Sequence, residues 1–210
     1  RSTLFPYTTL FRSDGVIAAD EQQYYLKTIS RQTDRLNKLA EELSFITLNT
    51  MNQPDVPLEK EEIFLDKLLI DIMSEFQLVI DKEDRDIQIS VQPESAKIIS
   101  NYDKLSRIIL NLVSNAFKYS EAGTKLTIDA AVDNKRLTLT VADEGQGIKS
   151  EDLEKIFKRL YRVESSRNMK TGGHGLGLYI ARELARQLGG DIFVQSEYGQ
   201  GSSFSLVLDL

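Results

Sequence analysis

Cysteine is absent from these 210 residues, which excludes a disulfide scaffold, a Cys-ligated zinc site and thiol catalysis. That absence fits a reducing compartment. Histidine occurs once, at His174, so no mechanism that needs two imidazoles is housed by this chain alone. No apolar run approaches the roughly 20 residues that cross a bilayer, so the expectation is a soluble chain with no membrane segment of its own. Positive charge is in short supply: 26 Lys and Arg face 32 Asp and Glu, for a net charge of −6. Neutralising a phosphate backbone needs clustered cations, so nucleic acid is not an expected partner. Proline and glycine are missing between Asp20 and Thr50. What is present is core material, 41% hydrophobic residues, enough for one full domain plus an accessory element.

The first thirteen residues, Arg1 to Ser13, carry no acidic side chain and neither helical nor strand period. Thr3 to Ser13 resembles the in-frame translation of a sequencing-library adaptor, and the stretch is set aside as an artefact. From Asp20 to Thr50, Leu26, Ile29, Thr33, Leu36, Ala40 and Leu43 follow three- and four-residue steps. This predicts a heptad-striped helix of about 45 Å. Leu39 and Ile46 widen the stripe, which must be covered, either by an ordinary core or by a partner helix in a bundle. Asn52, Pro54 and Pro57 mark a linker, so residues 14–54 read as the helical element and 55–210 as the main domain.

In the main domain the periodicity predicts a strand over Glu59–Phe64 and one helix from Leu65 to Lys82. A strand through Ile87, Ile89 and Val91 follows, another at Ile98 and Ile99, and a helix from Asp103 to Tyr119. Leu126 to Val132 and Leu137 to Val141 alternate around Asp133-Asn134-Lys135, a hairpin. A glycine-rich loop leads into a helix from Gly177 to Leu188. A second hairpin turns at Gly199-Gln200-Gly201, with Phe204, Leu206 and Leu208 on one side. Hairpins separated by helices give an α+β fold, a two-layer sandwich with helices covering a mixed sheet, and disfavour a Rossmann domain.

Four clusters carry chemistry. Asn111, Asn115, Lys118 and Tyr119 in NLVSNAFKYS share one helical face. Amide oxygens there can join a Mg²⁺ shell completed by phosphates, and Lys118 offers a point charge. Taken alone, a solvated helix face reads the same way. Asp143-Glu144-Gly145-Gln146-Gly147-Ile148 follows a strand, where a carboxylate can accept from the exocyclic amine of adenine and glycines let backbone approach a ring. Thr171–Leu178, TGGHGLGL, opens onto a helix N-terminus and suits phosphate, although it is neither a Walker nor a Rossmann loop. Just upstream, Lys158–Gly172 holds five basic residues and one acidic residue. Gly201-Ser202-Ser203-Phe204 can add a hydroxyl.

In this order the clusters resemble the ATP-binding domain of sensor histidine kinases, within the gyrase, Hsp90, histidine kinase and MutL superfamily (the Bergerat-type fold). NLVSNAFKYS is similar to the N box, DEGQGI to the first glycine box, FKRLYR (Phe157–Arg162) to the F box, GGHGLGL to the second glycine box and GSSF to the third. The resemblance implies that ATP and Mg²⁺ are the cofactors, with Asn115 on the metal and Asn111 beside it. It implies that Asn115, Lys118 and Arg162 carry the catalytic function, the two cations meeting phosphates. Tyr119 would line the pocket with Gly145, Gly147 and Ile148, and Asp143 would read adenine. Gly173, His174, Gly175, Leu176, Gly177 and Leu178 would shape the lid, with Ser203 on the adenine side. Leu160, where an aromatic is usual, is expected to loosen lid packing. Tyr25–Leu43 is similar to the second helix of the dimerisation and phosphoacceptor hairpin, whose first helix carries the accepting histidine. The implied activity is γ-phosphoryl transfer to a histidine absent here, for relay to an aspartate on a response regulator receiver domain. The implied setting is a cytoplasmic part of a homodimeric parent that can be anchored in the cell membrane. The competing readings are a non-catalytic nucleotide-binding scaffold and another ATPase or serine kinase of the superfamily.

Overall fold

The computed structural model describes residues 23–30, 32–33, 36, 40, 59–163 and 174–210. The chain divides into two units, Arg1–Met51 and Asn52–Leu210. In the first, the described residues are helical, and Leu26, Ile29 and Leu36 of the heptad stripe are exposed. The rest of that segment, and all of residues 1–13, lie outside the described residues.

The second unit opens with β1 (Glu61–Phe64), α1 (Leu65–Ser74), α2 (Gln77–Glu83), β2 (Asp86–Gln92) and β3 (Lys97–Ser100). It continues with α3 (Tyr102–Tyr119), β4 (Lys125–Asp133), β5 (Arg136–Asp143), a 3₁₀ turn (Ser150–Asp152), α4 (Gly177–Gln187), β6 (Gly190–Glu197) and β7 (Gly201–Asp209). β1 and β3 form a small antiparallel ribbon; the other strands form a five-stranded sheet in the order β2-β4-β5-β7-β6. β2 runs parallel to β4 and the remaining pairs are antiparallel. The sheet is therefore mixed, as the pattern of hairpins and helices predicts.

Strand β5 lies at its centre and shows why there are two layers. Its alternation buries Leu137, Leu139 and Val141 on one face. The partners in register, Leu208, Leu206 and Phe204 of β7, are buried on that same face. The helices contribute Leu105, Ile108, Ile109, Leu112, Val113 and Ala116 from α3, with Ile180, Ala181, Leu184 and Ala185 from α4. The opposite face is polar, with Thr140 and Ser205 joined through their hydroxyls at 2.9 Å. The β4–β5 hairpin turns through Asn134 and Lys135, both at positive φ, the backbone of a type I′ turn.

The expected helix Leu65–Lys82 is two helices. Phe76 leaves the helical path at φ −98°, ψ 0°, and its ring stacks on Phe117 of α3 at 4.9 Å. Beyond it α2 buries no residue, and Leu78 is 85% exposed. Periodicity continued through the break, but no core lay beneath the second half to hold it straight. Asn101 sets the start of α3: its side chain accepts from the Lys104 N–H at 2.9 Å and donates to the Glu59 carbonyl at 2.9 Å.

Candidate functional site

The period of β5 carries Asp143 onto the face that its preceding residues fill with Leu and Val. A carboxylate thus sits at the rim of the core, only 9% exposed. Asp143 Oδ1 accepts the Gly145 N–H at 2.8 Å. Burial raises its pKa from 3.8 to about 6; the backbone N–H bonds of Gly145 and Ser202 and the charge of Arg85 pull it partly back. Such a group is a strong acceptor held at the expense of its own solvation.

The loop after Asp143 rests directly on the end of α3. A Cβ at position 145 would lie 2.3 Å from the Tyr119 carbonyl oxygen and 2.6 Å from Asp143 Oδ1, so only glycine permits the approach. The Gln146 N–H donates to the Tyr119 carbonyl at 3.1 Å, and the Gln146 carbonyl accepts from Gly199 at 2.7 Å. Gly147 lies against the Glu197 carbonyl. The Ile148 N–H donates to Ser196 Oγ at 2.8 Å, and that hydroxyl also contacts the Gly201 carbonyl at 2.7 Å and Ser202 Oγ at 3.0 Å. The loop is clamped between the N-box helix and the last hairpin.

On α3, Asn111, Asn115, Lys118 and Tyr119 are all half-buried. Asn111 Nδ2 donates back to the Arg107 carbonyl at 2.9 Å. Asn111 Oδ1 faces Gly177, the first residue of α4, where a Cβ would come within 3.0 Å of it. Leu176, the N-cap residue of this helix, is buried and apolar and its side chain makes no cap hydrogen bond. A helix N-terminus beside an amide oxygen can offer N–H donors to an anion. Lys118 Nζ lies 5.0 Å from the Tyr119 ring centroid.

The F-box segment reaches the same glycine-rich stretch. Phe157 is buried beneath the Arg182 guanidinium, 4.6 Å from its ring, and Arg182 is paired to Asp191 at 2.6 and 2.9 Å. Tyr161 donates to Asp152 at 2.6 Å. The Leu160 N–H donates to the Gly175 carbonyl at 3.0 Å, and a Cβ on Gly175 would meet the Tyr161 carbonyl at 2.5 Å and Arg162 Cγ at 3.2 Å. Arg162 therefore lies beside the glycine segment. The Leu160 side chain turns outward, 60% exposed. His174 and Leu178 are half-buried. Gly173 and residues 164–172, with Arg167 and Lys170 of the basic run, lie outside the described residues.

The structure thus brings Tyr119, Asp143, Gly145, Gly147 and Ile148 together at one end of α3. It brings Asn111 and Gly177 together farther along that helix, and Arg162 to Gly175. One expected residue moves. Ser203 pairs with Ala142 on the polar face of the sheet, and Ser202 is the residue that pairs with Asp143. Side chains in register point to the same face, so a shift of one position exchanges one hydroxyl for the other. Ser196, Asp152 and Arg85 were not expected at the site. Each acts from a different element, and none stands in a motif that marks it.

A desolvated carboxylate, a glycine loop seated on a helix end and a helix N-terminus beside the Asn111 amide point to a nucleotide-binding domain on an α/β sandwich. The profile described as histidine kinase-, DNA gyrase B-, and HSP90-like ATPase matches residues 100–210, and the chain belongs to that family. The histidine protein kinase SaeS of Staphylococcus epidermidis is 36% identical over 199 residues, 93% of this chain and 55% of that protein. The chain spans about half the length of the curated relatives it matches. Full-length ShkA in complex with AMPPNP superposes with a TM-score of 0.77 at 24% identity, over 93% of this chain and 40% of that one. The histidine kinase ThkA, in complex with the response regulator protein TrrA, gives 0.70 at 19% identity, over 96% and 55%. At these identities the two structures share the fold. Among the described residues no helix is long and apolar enough to cross a membrane.

Proposed function

We propose that this chain is the ATP-binding catalytic part of a sensor histidine kinase, which presents the γ-phosphoryl of ATP to a histidine for relay to a response regulator aspartate. The observation that carries the reading is the seating of the Asp143–Gly145 loop on the end of α3, the helix whose Asn111 faces the first residue of α4. Asp143 accepts the adenine amine, exchanging lost solvation for a ligand hydrogen bond. Lys118 and Arg162 give the phosphates cationic donors, and the first N–H groups of α4 add theirs. The residues fit a Mg²⁺ site of the kind phosphates complete: Asn115, with Asn111 a turn away, presents neutral amide oxygen. When bound, the ion offsets phosphate charge in a reaction that relies on positioning and electrostatics.

The accepting histidine belongs to another segment, because His174 sits in the glycine stretch. The exposed apolar residues Leu26, Ile29 and Leu36 suit a helical hairpin that joins two copies, and the regulator named in the ThkA complex supports a receiver domain as partner. The test uses the full chain with radiolabelled ATP, Mg²⁺ and an added hairpin that carries a phosphoacceptor histidine. ATP binding is expected, with acid-labile phosphate on the hairpin and none on the chain itself. Acid-stable phosphate on serine would turn the reading to a serine kinase, and release of free phosphate without transfer would turn it to an ATPase. Binding with neither would leave a scaffold.

A further inference from the structure

Arg85 lies in the acidic stretch between α2 and β2, outside every motif of the site, yet it is 8% exposed. A buried guanidinium must have all its donors occupied. Its Nη2 donates to the Phe117 carbonyl at 3.2 Å and to the Ser120 carbonyl at 3.0 Å. Its Nη1 donates to Ser120 Oγ and, at 3.1 Å, to Thr124 Oγ1. Nε and Nη2 close a fork on Glu83 at 2.9 and 2.7 Å. The guanidinium carbon lies 5.4 Å from the Phe117 ring centroid, on the ring that stacks with Phe76. Carbonyls at a helix C-terminus lack partners within the helix and carry partial negative charge; here an arginine from another element supplies both the donors and the charge.

Next to the Ser120 carbonyl that Arg85 holds stands the Tyr119 carbonyl. It accepts the Gln146 N–H and lies against Gly145, so the last turn of α3 is gripped by Arg85 on one side and supports the Asp143 loop on the other. We infer that Arg85 is a positioning residue for the nucleotide site, fixing the end of the N-box helix on which the Asp143–Gly147 loop is seated. Resting on the nucleotide reading above, this assigns a role to a residue that touches no nucleotide.

The charge of Arg85 acts on Asp143 in the direction that favours the carboxylate. Among the described residues, charged groups near that end of the sheet include Glu144, whose carboxylate takes the Lys125 N–H, Lys125 itself, Glu197 against Gly147, and Lys118 beside the Tyr119 ring. Glu83 tempers the positive charge of Arg85 through their 2.7 Å pair. Removing Arg85 and removing Glu83 should therefore move Asp143 in opposite directions, a pattern that loss of packing cannot imitate.

The test follows the Asp143 carboxyl by NMR through a pH titration of the full chain without nucleotide, with ATP affinity measured in parallel by calorimetry. Arg85→Gln should raise the Asp143 midpoint and weaken ATP binding severalfold at pH 7. Arg85→Lys keeps the charge and loses the fork, so its midpoint should stay near that of the parent while its melting temperature falls. Glu83→Gln, at a partly exposed position, should lower the midpoint. A melting temperature that drops in Arg85→Gln with midpoint and affinity unchanged would reduce Arg85 to a packing role and overturn the proposal. If Arg85→Gln does not fold, a Glu83→Gln midpoint that stays put or rises overturns it equally. Absence of ATP binding by the parent chain would sink the nucleotide reading, whereas the signed midpoint shifts would still judge Arg85.

Discussion

The two ends of the candidate site are built differently. At the Asp143 end nearly every contact is main chain or short hydroxyl: Gly145 on the Tyr119 carbonyl, Gln146 between Tyr119 and Gly199, Ser196 among Ile148, Gly201 and Ser202. At the Gly177 end the groups that would meet a ligand are half-buried side chains, Asn111 beside Gly177 and Arg162 brought up to Gly175 by the F box, with Asn115 and Lys118 following along α3 between the two ends. The first end is a rigid socket with a desolvated acid; the second is an open set of donors beside a helix start. Rigid complementarity suits a planar base of fixed hydrogen-bonding pattern. Adjustable cations suit phosphates that must be held and then released.

Asp143→Asn tests that comparison most severely. It should weaken ATP binding by about 1.5–3 kcal/mol, the worth of a hydrogen bond to a charged group, read by calorimetry at pH 8. The same change should stabilise the chain without nucleotide. Below pH 3.8 the acid is protonated both folded and unfolded, so its burial carries no ionisation penalty. As pH rises toward 6 the unfolded form ionises freely while the folded one resists, and stability falls by up to about 3 kcal/mol before levelling off. A denaturant series across that range should show the slope in the parent and its loss in Asp143→Asn. ATP affinity should move the other way, falling as pH drops through about 6, because the protonated acid no longer accepts in the same manner. Equal stability of parent and variant at pH 8 would contradict the desolvated state of this carboxylate.

Gly145→Ala should follow in size. Its Cβ has no room between the Tyr119 carbonyl and Asp143, so a loss of about 1–3 kcal/mol in stability is expected from displaced backbone, with ATP affinity reduced alongside. A variant that melts like the parent would show that the socket is looser than its contacts imply. Among the cations, Lys118→Ala and Arg162→Ala should each weaken ATP by about 1 kcal/mol at low salt, less at high salt, and leave adenosine binding unchanged. Equal losses for ATP and adenosine would erase the division between the two ends. The smallest effect belongs to Gly177→Ala, whose methyl would meet one side-chain oxygen, Asn111 Oδ1, at 3.0 Å. Because that amide can move, stability should change by less than about 1 kcal/mol, while the Mg²⁺ dependence of ATP binding should weaken measurably.

Most of the sheet and helices were legible because their burial is periodic. Leu137, Leu139 and Val141 declared β5, and the Asn134-Lys135 turn declared its hairpin. The break at Phe76 was not legible: a continuing three-four pattern looks the same whether or not a core lies beneath it, and the stack on Phe117 links residues far apart in sequence. In the site, the glycine boxes and the asparagine pair could be found from composition and order. That Ser202, and not Ser203, stands opposite Asp143 was not legible, because register sets the face and a register is a property of two strands. Arg85 gave no signal at all, since one arginine among Asp and Glu reads as a surface charge.

By itself the sequence determined the class of fold and named candidate residues for the site, because hydrophobic period, glycine placement and misplaced polar residues are local properties of the chain. The tertiary structure alone decided that the Asp143 carboxylate is desolvated and that the Gly145 loop rests on the α3 carbonyls. It alone decided that Arg85 closes the last turn of that helix. Those depend on how far water is excluded and which unpaired groups meet across elements, and neither is written in the spacing of residues along one strand or helix.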